Sequence, residues 1–132
     1  MNFLFKEEPA NYSYDAFAKD KRTTWTGVKN PVAQKHLRDV KKGDRIFYYH
    51  TGTEKAIVGI AKAAKNAYPD PAGEGHVADI VPVKRLKRPV TLAEIKADRR
   101  FSQLPLVRVP RLSVMPIADD VFDAILKISG TT

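Results

Sequence analysis

The chain has 132 residues, 43% of them apolar, a formal net charge of +8 and no cysteine. That length suits one domain with a real core, residues 1–132, and is too short for two comfortable ones; without thiols, disulfide frameworks and thiolate zinc sites are excluded. Three scattered histidines make no metal site, no apolar run approaches a membrane span, and the N-terminal MNFLFKEEPANYSYDAFAKDK lacks a signal-peptide apolar stretch, so the expectation is a soluble, cytoplasmic monomer without metal or cofactor.

In chain order, Asn2 to Lys6 predicts an opening strand, followed by a turn at Glu8-Pro9-Ala10-Asn11 and a short helix that Ser13 can cap. A second helix is better marked. Asn30 can cap it, Pro31 fits the first helical position, where no N–H is needed, and Val32, Ala33, Leu37 and Val40 form an apolar stripe that Gly43 closes. Strand signals then dominate, from Arg45 to His50, Ala56 to Ala63 and Val77 to Leu86. Thr91-Leu-Ala-Glu94 has the spacing of a capping box, with Val90 placed to staple to Ile95. Leu106 to Val109 and Arg111 to Met115 read as strand pieces broken by Pro110. A last helix from about Ala118 carries Val121, Phe122, Ile125, Leu126 and Ile128 before Gly130. Strands grouped together with helices at the margins predict an α+β fold with a barrel-like sheet.

The charge is regional. Between Lys84 and Arg111 nine basic residues (Lys84, Arg85, Lys87, Arg88, Lys96, Arg99, Arg100, Arg108 and Arg111) face only Glu94 and Asp98, a net +7, whereas the rest of the chain is nearly balanced. Such a segment is either a surface for phosphates or a solvated face without a partner. As phosphate contacts, Lys84, Arg85, Lys87, Arg88, Arg99 and Arg100 would position a strand without reading it.

Several short stretches together resemble the EVE family. They are Phe3-Leu4-Phe5-Lys6-Glu7-Glu8-Pro9, Trp25-Thr26-Gly27-Val28-Lys29-Asn30, Leu37-Arg38-Asp39, Lys42-Gly43-Asp44, Phe47-Tyr48-Tyr49-His50, Ile57-Val58-Gly59-Ile60-Ala61 and Tyr68-Pro69-Asp70, then Arg88-Pro89-Val90-Thr91-Leu92, Pro105-Leu106-Val107-Arg108 and Arg111-Leu112-Ser113-Val114-Met115-Pro116. No piece is specific alone; their order over nearly the whole chain is. The chain departs from the family at Thr26, where Asp is usual, at Lys29, where Arg is usual, and at Glu7, where Ser is frequent. Phe3 stands in place of an early tryptophan.

The resemblance implies a PUA-like β pseudobarrel of about five to six strands with short flanking helices. It also implies a pocket at the barrel mouth for a modified base, a modified cytosine or methyladenine, carried by DNA or RNA. A base so read must leave its stack, lie against aromatic or apolar groups and find donors and acceptors for its polar edge. The resemblance assigns those parts to Trp25, Asn30, Tyr49, His50, Thr51, Tyr68, Arg111 and Ser113.

The residues themselves leave alternatives open. Trp25, between Thr23-Thr24 and Thr26-Gly27, is either a loop platform for a base or a core-capping indole. Capping alone accounts for Asn30. Alternation sets Phe47 and Tyr49 on one strand face and Tyr48 and His50 on the other, so one pair faces outward or lines the pocket. His50 could bond a base or fix its turn. Arg111 and Ser113 would share one strand face and act on a phosphate or a base edge, or Arg111 would make a surface ion pair.

Catalytic signals are poor. Asp70, Glu74 and Asp79 lack nuclease spacing, Ser113 and His50 lack a nucleophile elbow, and Gly73-x-Gly75 opens no helix. The expectation is a binding module and not an enzyme, with a small hydrolase or nuclease like those of the similar ASCH fold, or a protein-interaction module, as alternatives.

Overall fold

The computed structural model describes residues 1–131. Strand β1 (Asn2–Glu7) lies between β3 (Arg45–His50), parallel to it, and β7 (Val114–Ile117), antiparallel. Neighbours on both edges and cover on both faces leave it no polar side, which is why Phe3, Leu4 and Phe5 are all buried. Next to β3 comes β4 (Ala56–Ala63), then the long β6 (His76–Thr91), then the short β2 (Thr23–Trp25). A two-residue strand, β5 (Tyr68–Pro69), pairs with the start of β6. The row β2-β6-β4-β3-β1-β7 curls into a half-barrel: the Phe5 and Trp25 rings sit 5.3 Å apart although three strands separate β1 from β2. Register shifts at Tyr48/Tyr49 and twice between β4 and β6 bend the strands enough for that curl.

Two helical layers cover the sheet. Helix α1 (Pro9–Tyr12) leads into α2 (Tyr14–Asp20), whose first turn is capped by the Ser13 hydroxyl accepting from Ala16 N–H at 3.1 Å. The Tyr14 ring lies flat on Gly59, where a methyl group would overlap it, and its hydroxyl donates to the Ile60 carbonyl at 2.8 Å. Helix α3 (Pro31–Arg38) packs on both β6 and β7. After β6 come α4 (Leu92–Ala97), whose Thr91/Glu94 capping box is complete, and α5 (Pro105–Arg108). Helix α6 (Asp119–Ile128) stacks Phe122 on Phe47 at 3.7 Å.

Several predicted elements are corrected. Leu106 to Val109 is not a strand: Pro105 occupies the first position of α5, where its missing N–H costs nothing, and a helical turn follows. The strand expected over Arg111 to Met115 begins only at Val114, so Arg111 and Ser113 lie in the approach to β7 and share no strand face. The expected Glu8 to Asn11 turn is largely α1, again with a proline at its start. The strand expected over Val77 to Leu86 continues to Thr91. Helix α3 ends at Arg38, ahead of Gly43, and Val32 is 52% exposed instead of joining the stripe. Neither face of β3 is free, because α6 covers Phe47 while Tyr14, Phe17 and Trp25 surround Tyr48. The short β2 and β5 carry no apolar alternation long enough to predict a strand.

Candidate nucleic-acid interface

At the C-terminal end of β1 a cleft of about 270 Å³ opens between Glu7, the Asn11-Tyr12 end of α1 and the run Thr23 to Thr26. Trp25 ends β2 and is 6% exposed, so it is a core residue that also lines this cleft and not a platform on a loop. Its indole meets Tyr48 edge-on at 5.4 Å and Phe5 at 5.3 Å, a setting that fixes the ring plane. Among the described residues no hydrogen bond falls on the indole N–H, and no buried side-chain donor is left unsatisfied, so that donor is open to solvent. Glu7 is half-buried, and its Oε1 accepts from the Glu8 N–H at 2.8 Å.

Behind the threonines sits Asp79, buried on β6. It accepts from Tyr68 Oη at 2.6 Å and from Thr24 Oγ1 and Arg22 Nη2 at 2.9 Å each, with Lys65 Nζ at 3.9 Å. Burial pulls its pKa upward, but the donors from Tyr68, Arg22 and Thr24 outweigh it and hold the carboxyl below its ordinary value. The same bond raises the Tyr68 phenol above its ordinary value. Tyr68 is thereby committed to holding β5 on β6, as Thr24 holds β2 there.

A second, mostly apolar cleft of about 390 Å³ lies beyond the Trp25 to Asn30 loop and brings Asn30 and Arg111 together with Val32, His36, Pro105 and Val109. Asn30 Oδ1 accepts from Val32 and Ala33 N–H at 2.9 and 3.0 Å, so its oxygen is spent on the α3 cap. Ser113 contributes its carbonyl to Lys6 N–H at 2.9 Å. The Lys6 ammonium donates to the Pro110 carbonyl at 2.7 Å and sits 5.6 Å from the centre of the buried Tyr49 ring, and burial lowers its pKa. A third cavity of about 580 Å³, beside Val28, Gln34 and Gly75, has no aromatic wall.

His50 and Thr51 lie elsewhere. His50 Nε2 accepts from the Tyr14 N–H at 3.0 Å, so its proton is on Nδ1, which donates to Glu54 Oε1 at 2.7 Å. Both ring nitrogens are engaged, Nε2 holding α2 to the end of β3 and Nδ1 holding Glu54 of the loop that follows β3. Thr51 Oγ1 donates to Glu8 Oε2 at 3.3 Å. The eight residues assigned from resemblance therefore divide: Trp25 lines the first cleft, Asn30 and Arg111 the second, Ser113 and Tyr49 flank Lys6, Tyr68 serves Asp79, His50 belongs to the α2 junction, and Thr51 meets Glu7 and Glu8 where β1 leads into α1.

Of the basic residues, Lys84, Arg85, Lys87 and Arg88 are exposed on β6. Arg85 Nε donates to Asp15 at 2.7 Å, Arg88 Nη1 reaches both oxygens of Glu94 at 2.9 and 3.0 Å, and Arg100 grips Asp98 at 2.8 Å. The site features that sequence patterns had not isolated are Glu7, Asn11, Tyr12 and the convergence of Arg22 and Thr24 on Asp79 beside Tyr68. Of these, Glu7 was marked only as a departure from the family motif.

Fold and clefts define the PUA-like class of small β pseudobarrels. Within it, the model of the EVE domain matches residues 1–128, and the chain belongs to that family. It is 30% identical over 141 residues to human thymocyte nuclear protein 1, covering 86% of this chain and 63% of that one, so it spans under two thirds of that relative. Among solved structures, Rpa0253 from Rhodopseudomonas palustris superposes with a TM-score of 0.93 at 39% identity, covering 98% of this chain and 92% of the other. Human THYN1 protein in complex with DNA containing 5-methylcytosine superposes with a TM-score of 0.89 at 27% identity, covering 99% and 98%.

Proposed function

We propose that this domain binds DNA carrying a modified base of the methylcytosine class, with the base seated in the Glu7–Tyr12–Trp25 cleft against the indole. The observation that carries this is the end-to-end similarity to a protein solved with 5-methylcytosine DNA, joined to a cleft whose aromatic wall is held rigidly by the core. Its volume of about 270 Å³ is just under the roughly 300–1,000 Å³ of pockets that take drug-sized ligands, which suits one planar base. Arg111 and Asn30, beyond the connecting loop, would meet the flanking nucleotide, and Arg111 presents a planar donor fork for a phosphate. Lys84, Arg85, Lys87, Arg88, Arg99 and Arg100 supply charge that positions the strand. His50 takes no part as a base catalyst, both its nitrogens being engaged.

The test is a titration of otherwise identical oligonucleotides carrying one cytosine, 5-methylcytosine or N6-methyladenine, against the parent and Trp25→Phe. Trp25→Ala serves poorly here, because emptying a core position of this size costs about 3–5 kcal/mol of stability and would lower every activity together. The Phe variant keeps most of the packing while shrinking the stacking surface and removing the N–H. Its affinity for the preferred modified strand should fall about threefold to tenfold, with the plain strand nearly unchanged. A parent protein with equal affinity for all three strands would remove the base-reading function.

A further inference from the structure

Given that a base occupies the Trp25 cleft, we propose that the Glu7 carboxylate reads position 4 of a pyrimidine ring, accepting 4-amino bases of the cytosine class and rejecting 4-oxo bases of the thymine class. Glu7 is the one ionised side chain lining the cleft; the remaining wall is Asn11, Tyr12, Trp25 and threonine hydroxyls. One carboxylate oxygen is tethered by the Glu8 N–H at 2.8 Å, which restricts where the side chain points. The other takes no hydrogen bond from any described residue. A tethered carboxylate with one open oxygen is an acceptor and nothing else.

Stacking cannot supply this discrimination. 5-Methylcytosine and thymine have the same ring size, the same 5-methyl group and equivalent faces toward an indole. They differ at position 4, an amino donor in one and a carbonyl acceptor in the other, and at N3. A fixed carboxylate accepts from the 4-amino group, as Glu and Asp do when they contact cytosine N4, and repels the 4-carbonyl. Thymine could present its N3–H instead only by bringing its O4 and O2, which flank that proton, toward the same negative charge. A carboxylate also weakens phosphate attraction in a chain of net charge +8, so Glu7 serves no phosphate contact in the cleft.

The experiment measures fluorescence anisotropy with four labelled oligonucleotides that differ at one position (5-methylcytosine, cytosine, thymine, uracil), against the parent, Glu7→Gln and Glu7→Ser, with thermal melts to establish folding. The parent should favour 5-methylcytosine over thymine by about tenfold to a hundredfold. In Glu7→Gln, whose amide can turn either its NH₂ or its oxygen to the ring, that ratio should drop to within about threefold of unity, while the ratio of 5-methylcytosine to cytosine holds. Glu7→Ser should lose the 5-methylcytosine preference over thymine in the same way. A parent that discriminates and a folded Glu7→Gln that discriminates equally well would overturn the assignment and leave base reading intact. A parent that binds all four strands alike would overturn base reading itself, and this inference with it.

Discussion

Asp79 shows how much a single buried carboxylate can organise. Three side-chain donors from β2, β5 and the turn before β2 converge on it, so its charge state governs how the short strands are held to β6. Its pKa is depressed in the fold; the stabilisation is therefore complete above the unfolded value of about 3.9 and fades as pH falls through the lower folded value. Replacing it by Asn should cost about 1–3 kcal/mol at neutral pH, the range for disrupting a buried charged hydrogen-bond group. Urea denaturation at pH 7 and near pH 3 measures this, and the gap between parent and Asp79→Asn should shrink at the acid end. An equal gap at both pH values would show that the charge is not what holds β2. None of this was visible in sequence, where Asp79 is one carboxylate among apolar neighbours and its donors lie 11 to 57 residues away. Trp25 was half legible: its neighbours in sequence are polar, and only the curl of the sheet brings Phe5 and Tyr48 against it.

Among the elements, the helices announced themselves through their ends. Ser13, Asn30 and the Thr91/Glu94 box act as caps as their types and spacing predict, because capping is a local interaction complete within four residues. Strands β3 and β4 were equally plain. What escaped was short or proline-led: β2 and β5 have three and two residues, and α5 opens on a proline, a residue that also punctuates strands. The close seat of α2 on β4 depends on Gly59, since any side chain there collides with the Tyr14 ring. Gly59→Ala should destabilise the fold by about 1–3 kcal/mol through overpacking. Gly73→Ala, at a position with open space around it, should shift the chemical-denaturation midpoint far less. Equal shifts for the two would show that α2 can slide on the sheet.

For the whole molecule the relevant quantity is how its charge meets a polyanion. Arg85, Arg88 and Arg100 already hold acidic partners, so a bound strand would have to compete with exposed ion pairs, each of which is weak in water. Replacing Lys84, Arg85, Lys87 and Arg88 together by Ala should weaken modified and plain strands by the same factor. Each phosphate no longer neutralised should reduce the slope of log affinity against log salt by about 0.9 for duplex DNA, so all four acting would reduce it by roughly 3 to 4. Affinity measured at several salt concentrations checks this. An unchanged slope would put the phosphate track on another face.

The placement of β1 has a consequence for how the chain is made. Its residues 2–5 pair with β7, residues 114–117, along one edge, so this strand lacks one neighbour until more than a hundred further residues have been synthesised. Until then β1 presents apolar Phe3, Leu4 and Phe5 on an unpaired backbone edge, the kind of surface that pairs with another chain. Long-range closure of this type also slows folding. Nascent chains arrested before Val114 should for this reason engage chaperones and aggregate, whereas those arrested with Ile128 clear of the exit tunnel should acquire protease resistance in a single step.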